Sequence, residues 1–217
     1  MISISGNNYN NIWADAIIKI MKHGEIRPSI GDSKKMIRHA AVSVEMGPEA
    51  IQQALNGKLH PSYPQQHGLN EYCNQFTEGT DDCMKSKGSQ DYTYFGRTIS
   101  QLKKIREMDL LKEEFNKRIQ AVTWDKFEDL GAENPPCLQI LGIVNIGYNE
   151  CEINTLFRSH DFFGAWQFNN IALLRYLNTE VLEPAELTPV RFVEYNFSGH
   201  IYDYDWSSAK RVTQLPA

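Results

Sequence analysis

One cysteine and one arginine define the chemistry to be explained. Cys137 follows Pro135-Pro136 and leads an apolar alternating run: Leu138, Ile140, Gly142, Val144 and Ile146. A turn at Gly147-Tyr148-Asn149-Glu150 separates it from a second run, Cys151, Ile153, Thr155 and Phe157, with Arg158 next. Alternation of period two on both sides of such a turn predicts a β-hairpin. Antiparallel pairing would bring its outer ends, Cys137 and Arg158, side by side. A thiol beside a fixed guanidinium has its thiolate favoured, which is what a nucleophilic cysteine requires.

Further polar groups follow at fixed distances. Arg158-Ser159-His160-Asp161 offers a cation, a hydroxyl, an imidazole and a carboxylate; Phe168-Asn169 an amide; His200-Ile201-Tyr202 an imidazole and a phenol. Together with Pro135-Pro136-Cys137, in this order and with Asn169 eight residues after Asp161, they resemble the thymidylate synthase and pyrimidine hydroxymethylase superfamily. The wording RSHD, then GAW, then Asn is similar to the short archaeal-type synthases or the hydroxymethylases rather than the long bacterial ones.

That resemblance implies an α+β fold, a mixed β-sheet covered by helices, as a single domain over residues 1–217. It implies that the Cys137 thiolate adds to C6 of a pyrimidine nucleoside monophosphate, making C5 nucleophilic toward a one-carbon unit. Arg158 would hold the thiolate and reach the phosphate, and Ser159 would add a hydrogen bond there. The Asn169 amide can donate to O4 and accept from N3–H, which suits uracil, whereas a carboxylate would suit cytosine. Asn170 is the rival one residue on. Glu71 would relay protons, Asp161 would accept from the pterin, and His200 and Tyr202 would bind the ribose 3′-hydroxyl. Arg27 is a candidate phosphate ligand, with a solvated loop charge the plain alternative. Tyr94 is a candidate beside the nucleotide, with Tyr92 as its rival. Arg118, behind Lys117, would cross the interface of a homodimer to the partner's phosphate. The one-carbon donor would be 5,10-methylenetetrahydrofolate or a related reduced pterin, with no metal.

Three departures keep a hydroxymethylase in view. Leu138 stands where long synthases have histidine, and the segment after Glu71 lacks the usual tryptophan. The C-terminal Gln-Leu-Pro-Ala is also unlike the usual closing segment. Two readings from other classes are a cysteine hydrolase built on Cys137, His200 and Asn169, and a nucleotide binder without catalysis.

Composition sets the outer bounds. A 217-residue chain with 41% hydrophobic and 23% charged residues can build a core. A net charge of -5 argues against general nucleic-acid binding, yet leaves room for a phosphate pocket, which needs only a few converging cations. The apolar runs are too short for a membrane span, and no secretory signal is evident. Cys73, Cys83, Cys137 and Cys151 show no metal-ligand spacing, so they are expected as free thiols in the cytoplasm.

The elements that must position these groups can be read in order. Periodicity predicts a helix over 11–24, a polar loop over 25–35 holding Arg27, Lys34 and Lys35, and a strand over 40–46. Pro48 opens a short helix ending at Gly57, and a loop over 60–68 precedes a helix from Leu69 bearing Glu71. Residues 80–97 are expected as loop, 98–115 as helix, and 117–124 as a strand led by two cations. After the hairpin, Ala165 to Leu177 is helical, with Trp166 and Phe168 expected in the core. Pro184 and Pro189 mark a loop, and residues 190–204 supply one or two strands.

Overall fold

In the computed structural model, which describes residues 1–29, 32–79 and 92–212 and only the backbone of 32–35, an eight-stranded mixed sheet carries the site. Its strands are β1 (Ile2–Gly6), β2 (Glu25–Ser29), β3 (Asp32–Met46), β4 (Ile119–Val122), β5 (Leu138–Gly147), β6 (Glu150–Phe157), β7 (His160–Asp161) and β8 (Thr188–Tyr202). The main order is β1-β3-β8-β6-β5-β4, with β2 on β3 and β7 on β8. β8 is antiparallel to β3 and parallel to β6, so the fold is α+β with a mixed sheet. Helices α1 (Tyr9–His23), α2 (Pro48–Leu55), α3 (Leu69–Thr77), α4 (Tyr94–Glu107), α5 (Trp166–Leu177) and α6 (Trp206–Val212) complete the described elements.

Alternation along the strands tells which face the helices cover. Val42, Val44 and Met46 of β3, Phe192, Glu194 and Asn196 of β8, Cys151, Ile153 and Thr155 of β6, and Leu141 and Ile143 of β5 are all buried. Their neighbours at the opposite parity form the other face. By register, Val122, Ile140, Leu156, Tyr195 and Ser43 make one row across it, and Gln120, Gly142, Asn154, Val193 and Glu45 the next. Tyr195 and Phe197 are exposed there.

The hairpin forms as its alternation predicts. Gly147 pairs with Glu150, and Tyr148 and Asn149 between them both have positive φ, 56° and 58°, the backbone of a tight two-residue turn. Helix α5 is buried nearly all round, including Trp166 and Phe168, because it lies under the sheet among other helices.

Three stretches differ from expectation. Residues 25–29 and 32–35, expected as loop, lie in strands: β2 pairs with β3, leaving a charged, Pro28-bearing segment as an edge, where missing donors and charges are tolerated. The helix expected over 98–115 starts at Tyr94, because the Thr93 hydroxyl caps Gly96 N–H at 2.8 Å, and ends at Glu107. A short 3-10 turn, Leu110–Lys112, follows Asp109, whose φ is +53°. The N-terminal Ile2–Gly6, too short for its pattern to assign, is a parallel edge strand on β3. Residues 80–91, expected as loop and holding Cys83, the Lys34 and Lys35 side chains and residues 213–217 lie outside the described residues. Among the described residues no helix is long and apolar enough to cross a membrane.

Candidate active site

The hairpin places Cys137 and Arg158 together. Leu138 pairs with Phe157, and Arg158 N–H donates to Cys137 O at 2.8 Å. The guanidinium then folds over the chain leading to the thiol: Nε donates to Pro136 O at 2.9 Å and Nη2 to Pro135 O at 2.6 Å. The two prolines offer carbonyls without competing N–H groups, so this turn is built to accept the fork. Cys137 is half-buried. Burial pushes its thiol above the ordinary value, and Arg158 opposes that rise without cancelling it. The expectation of a standing thiolate is therefore corrected: desolvation outweighs the guanidinium.

Tyrosines gather around the thiol. Leu138 N–H donates to the Tyr94 hydroxyl at 3.3 Å, and the Tyr92 and Tyr94 rings lie 5.8 Å apart. Both phenols are raised mainly by burial and also by the Cys137 thiol, and Tyr202 feels the same thiol after burial and Asp161. Arg97 sits 5.8 Å from the Tyr92 ring and bonds to Asp129 at 3.1 Å and Glu128 at 2.9 Å. It thus ties α4 to the segment that leads toward Cys137.

Strands β7 and β8 bring the next group. Ser159 Oγ lies 3.3 Å from His200 Nδ1, which is also 3.2 Å from Ser198 O. Burial holds His200 below the ordinary histidine value. Its ring meets Tyr202 edge-on at 4.9 Å, and Tyr202 stacks on Tyr204 at 5.2 Å. Asp161 Oδ1 accepts from Phe163 N and Gly164 N at 3.1 and 3.0 Å. A Cβ on Gly164 would come within 2.5 Å of Asp161 Oδ2, so only glycine leaves that oxygen its place. Asp205 is raised to about 6 by burial and by Asp161.

Asn169 is held at both ends of its amide. The Tyr72 hydroxyl donates to Oδ1, and Nδ2 lies 2.9 Å from His160 Nε2. Asn170 instead donates back to Trp166 O at 3.1 Å inside its own helix. The hydrolase order Cys137, His200, Asn169 is not assembled, since Asn169 bonds to His160 and His200 to Ser159.

Glu71, one residue before Tyr72, is exposed on α3. Tyr72, not Glu71, touches Asn169. The signal was present: Leu69, Tyr72, Cys73 and Phe76 form the inward stripe of α3, and Glu71 falls outside it. The buried Glu194 was also missed, although an acid between inward-facing Phe192 and Asn196 was a hint.

Arg27 is exposed and pairs with Glu25, its Nη2 at 2.5 Å from Oε2. It lies opposite Ile37, which lies opposite Tyr202, so Arg27 is in the Tyr202 row two strands away, about 10 Å. Arg118 is exposed and bonds to Glu113 at 2.9 Å. It precedes Ile119, the partner of Ile143, whereas Cys137 precedes Leu138 at the other end of β5. At about 3.4 Å per residue that puts the two roughly 20 Å apart along the sheet within one copy. A groove of 910 Å³ lined by Cys73 and Arg175, among others, shares none of these residues.

Comparison of the sequence with known proteins points to a family. No protein-family model matches the chain. A provisionally named thymidylate synthase of Methanopyrus kandleri is 30% identical over 208 residues, covering 93% of each chain. The chain belongs to the thymidylate synthase family. A provisionally named thymidylate synthase of Methanothermobacter thermautotrophicus is 27% identical over 222 residues, 97% of each chain, and one of Methanococcoides burtonii 30% identical over 151 residues, 66% of this chain and 65% of its own. Within this thymidylate synthase family member, the hairpin joins Cys137 to Arg158, and helix α5 carries Asn169 between Tyr72 and His160.

Proposed function

We propose that this protein is a thymidylate synthase that methylates dUMP at C5, with Cys137 as the nucleophile adding to C6. The observation that carries this reading is the Arg158 fork over the two carbonyls preceding Cys137, which fixes a cation beside a half-buried thiol. Burial raises the Cys137 thiol and Arg158 opposes that rise, so Arg158 favours the thiolate that adds to C6, its proton passing to solvent. Arg158 Nη1, used by neither of those two bonds, is available to the nucleotide phosphate beside Ser159. Asn169 offers one amide N–H to O4 and an oxygen lone pair to N3–H, while His200 and Tyr202 bind the 3′-hydroxyl. The Tyr72 hydroxyl donates to Asn169 and Glu71 on the same helix is exposed, so we assign the proton traffic near the base to the Tyr72 hydroxyl, with Glu71 relaying through water.

The donor we propose is methylenetetrahydrofolate or a related reduced pterin, which when bound supplies the one-carbon unit and the hydride. The residues fit such a group. Asp161 keeps Oδ2 clear beside a glycine, an acceptor for ring N–H groups, and the stacked Tyr202 and Tyr204 offer a flat wall.

The working unit we propose is a homodimer formed through the open sheet face. That face presents Ile140, Leu156, Tyr195 and Phe197, and Arg118 stands at its β4 edge, far from its own Cys137. An arginine so placed is suited to a partner's phosphate. Three described cysteines are free thiols, in keeping with a cytoplasmic enzyme.

Incubation with dUMP and methylenetetrahydrofolate tests the reading. Thymidylate and dihydrofolate should form one for one, and Cys137→Ser should abolish turnover while dUMP still binds. One observation favours a hydroxymethylase as the second reading: the aromatics of α3 are Tyr72 and Phe76, with no tryptophan to shield the new carbon from water. Product heavier than thymidylate by an oxygen atom, with tetrahydrofolate regenerated, would establish that reading instead.

A further inference from the structure

Behind Asn169 lies a buried polar chain that neither the nucleophile nor the phosphate site uses. Glu194 is fully buried on the helix-covered face of β8. Three nitrogens converge on its Oε1: Asn196 Nδ2 donates at 2.7 Å, Trp166 Nε1 donates at 3.0 Å, and His160 Nδ1 lies at 3.1 Å. His160, 3% exposed, is clamped by Phe157, stacked at 4.0 Å, and by the edge of Phe162 at 5.7 Å. Its other nitrogen, Nε2, lies 2.9 Å from the Asn169 amide. The chain therefore runs Glu194, His160, Asn169, Tyr72, from the core to the base-binding amide.

We propose that Glu194 and His160 are positioning residues that lock the Asn169 amide in one of its two orientations and so set the choice between uracil and cytosine nucleotides. This deepens, and rests on, the nucleotide reading above. An asparagine alone cannot discriminate. Uracil presents an acceptor at O4 and a donor at N3–H; cytosine presents the reverse, a donor at N4 and an acceptor at N3. A half-turn of the amide reverses its own pattern in the same way. Selectivity requires that the half-turn be costly.

The chain supplies that cost by propagating one polarity. An ionised Glu194 only accepts, so His160 must place its proton on Nδ1. Trp166 Nε1–H and the Asn196 amide, both donating to Oε1, are what an ionised, accept-only carboxylate calls for. A neutral imidazole protonated at Nδ1 has only a lone pair at Nε2, so Asn169 must turn its NH2 there. Its oxygen then faces the Tyr72 hydroxyl, which donates to it. Turning the amide over would leave a lone pair facing a lone pair at His160 in a dry site, where no water can compensate.

Two measurements test this on the intact protein. Nitrogen-15 NMR of labelled protein should show His160 as the neutral Nδ1–H tautomer; an Nε2–H tautomer or an imidazolium overturns the proposal. Calorimetric affinities for dUMP and dCMP should then be compared in wild type, Glu194→Gln and Tyr72→Phe. The glutamine side chain can donate as well as accept, which frees the His160 tautomer, and loss of the Tyr72 hydroxyl removes the second anchor at the more open end. Either change should shrink the dUMP-to-dCMP affinity ratio tenfold or more, mainly by improving relative dCMP binding. If Glu194→Gln fails to fold, Tyr72→Phe and the tautomer still decide. A wild type that prefers dUMP while the folded variants keep its ratio overturns the positioning role alone. A wild type that binds neither nucleotide overturns the nucleotide reading, and the positioning role with it.

Discussion

Removing the guanidinium beside Cys137 isolates what it contributes. Arg158→Met keeps most of the length of the side chain and its packing but deletes the charge and the two bonds to Pro135 O and Pro136 O. A cation held close to an acid lowers its pKa by roughly 1–3 units. Cys137 is half-buried and solvent shares its screening, so the lower end applies, about one unit. Below the thiol's pKa, one unit is about a tenfold loss of thiolate. The sign follows from the causes: burial already raises Cys137, Arg158 opposes it, and the variant loses only the opposing influence. Iodoacetamide labelling at Cys137, read by peptide mass from pH 7 to 10, should give a wild-type inflection above the ordinary cysteine value. In Arg158→Met the rate at pH 8 should fall about tenfold and the inflection should move further alkaline. Arg158→Lys should fall between, since it keeps charge but not the fork. An inflection below the ordinary value in wild type, or identical profiles for all three proteins with matching thermal stability, would refute the reasoning.

Three other outcomes are expected. Phe197→Asp, and Tyr195→Asp beside it, put a charge on the open sheet face, so light scattering after gel filtration should show the dimer of the wild type shifted to monomer; a wild type already monomeric removes the dimer proposal. Asp205→Asn should raise the melting temperature at pH 7.5 by an amount equivalent to about 1 kcal/mol after allowance for solvent screening, with little change at pH 4. The folded-state value of Asp205 is raised to about 6, so its favourable contribution is complete below the unfolded value and lost as pH climbs through 6. Equal gains at both pH values would contradict that linkage. Asn169→Asp should shift nucleotide preference from dUMP toward dCMP, measured as relative kcat/KM, and an unchanged preference would point to Asn170 or another group as the base reader.

Local pattern was sufficient where period and turn chemistry decide the answer. The alternating runs on either side of Gly147-Tyr148-Asn149-Glu150 can pair in one register, so the neighbourhood of Cys137 and Arg158 was legible from the order of residues alone. The same holds for α5, whose unbroken apolar spacing marks a buried helix carrying Asn169. Local pattern failed where strands are polar and marginal. Residues 25–29 and 32–35 enter β2 and the start of β3 because a paired edge satisfies their backbone, a fact about neighbours rather than composition.

Sequence by itself therefore determined the hairpin, the buried helix and the inventory of reactive groups, because those depend on residues close along the chain. Tertiary structure alone decided that Tyr72 rather than Glu71 meets Asn169, that burial overrides Arg158 at the thiol, and that Glu194 anchors His160. Each of those turns on desolvation or on contacts between distant segments, as when β8 inserts between β3 and β6 and buries the carboxylate of Glu194. Periodicity reports which side of an element faces inward, but the partner it meets there is set only when the layers close.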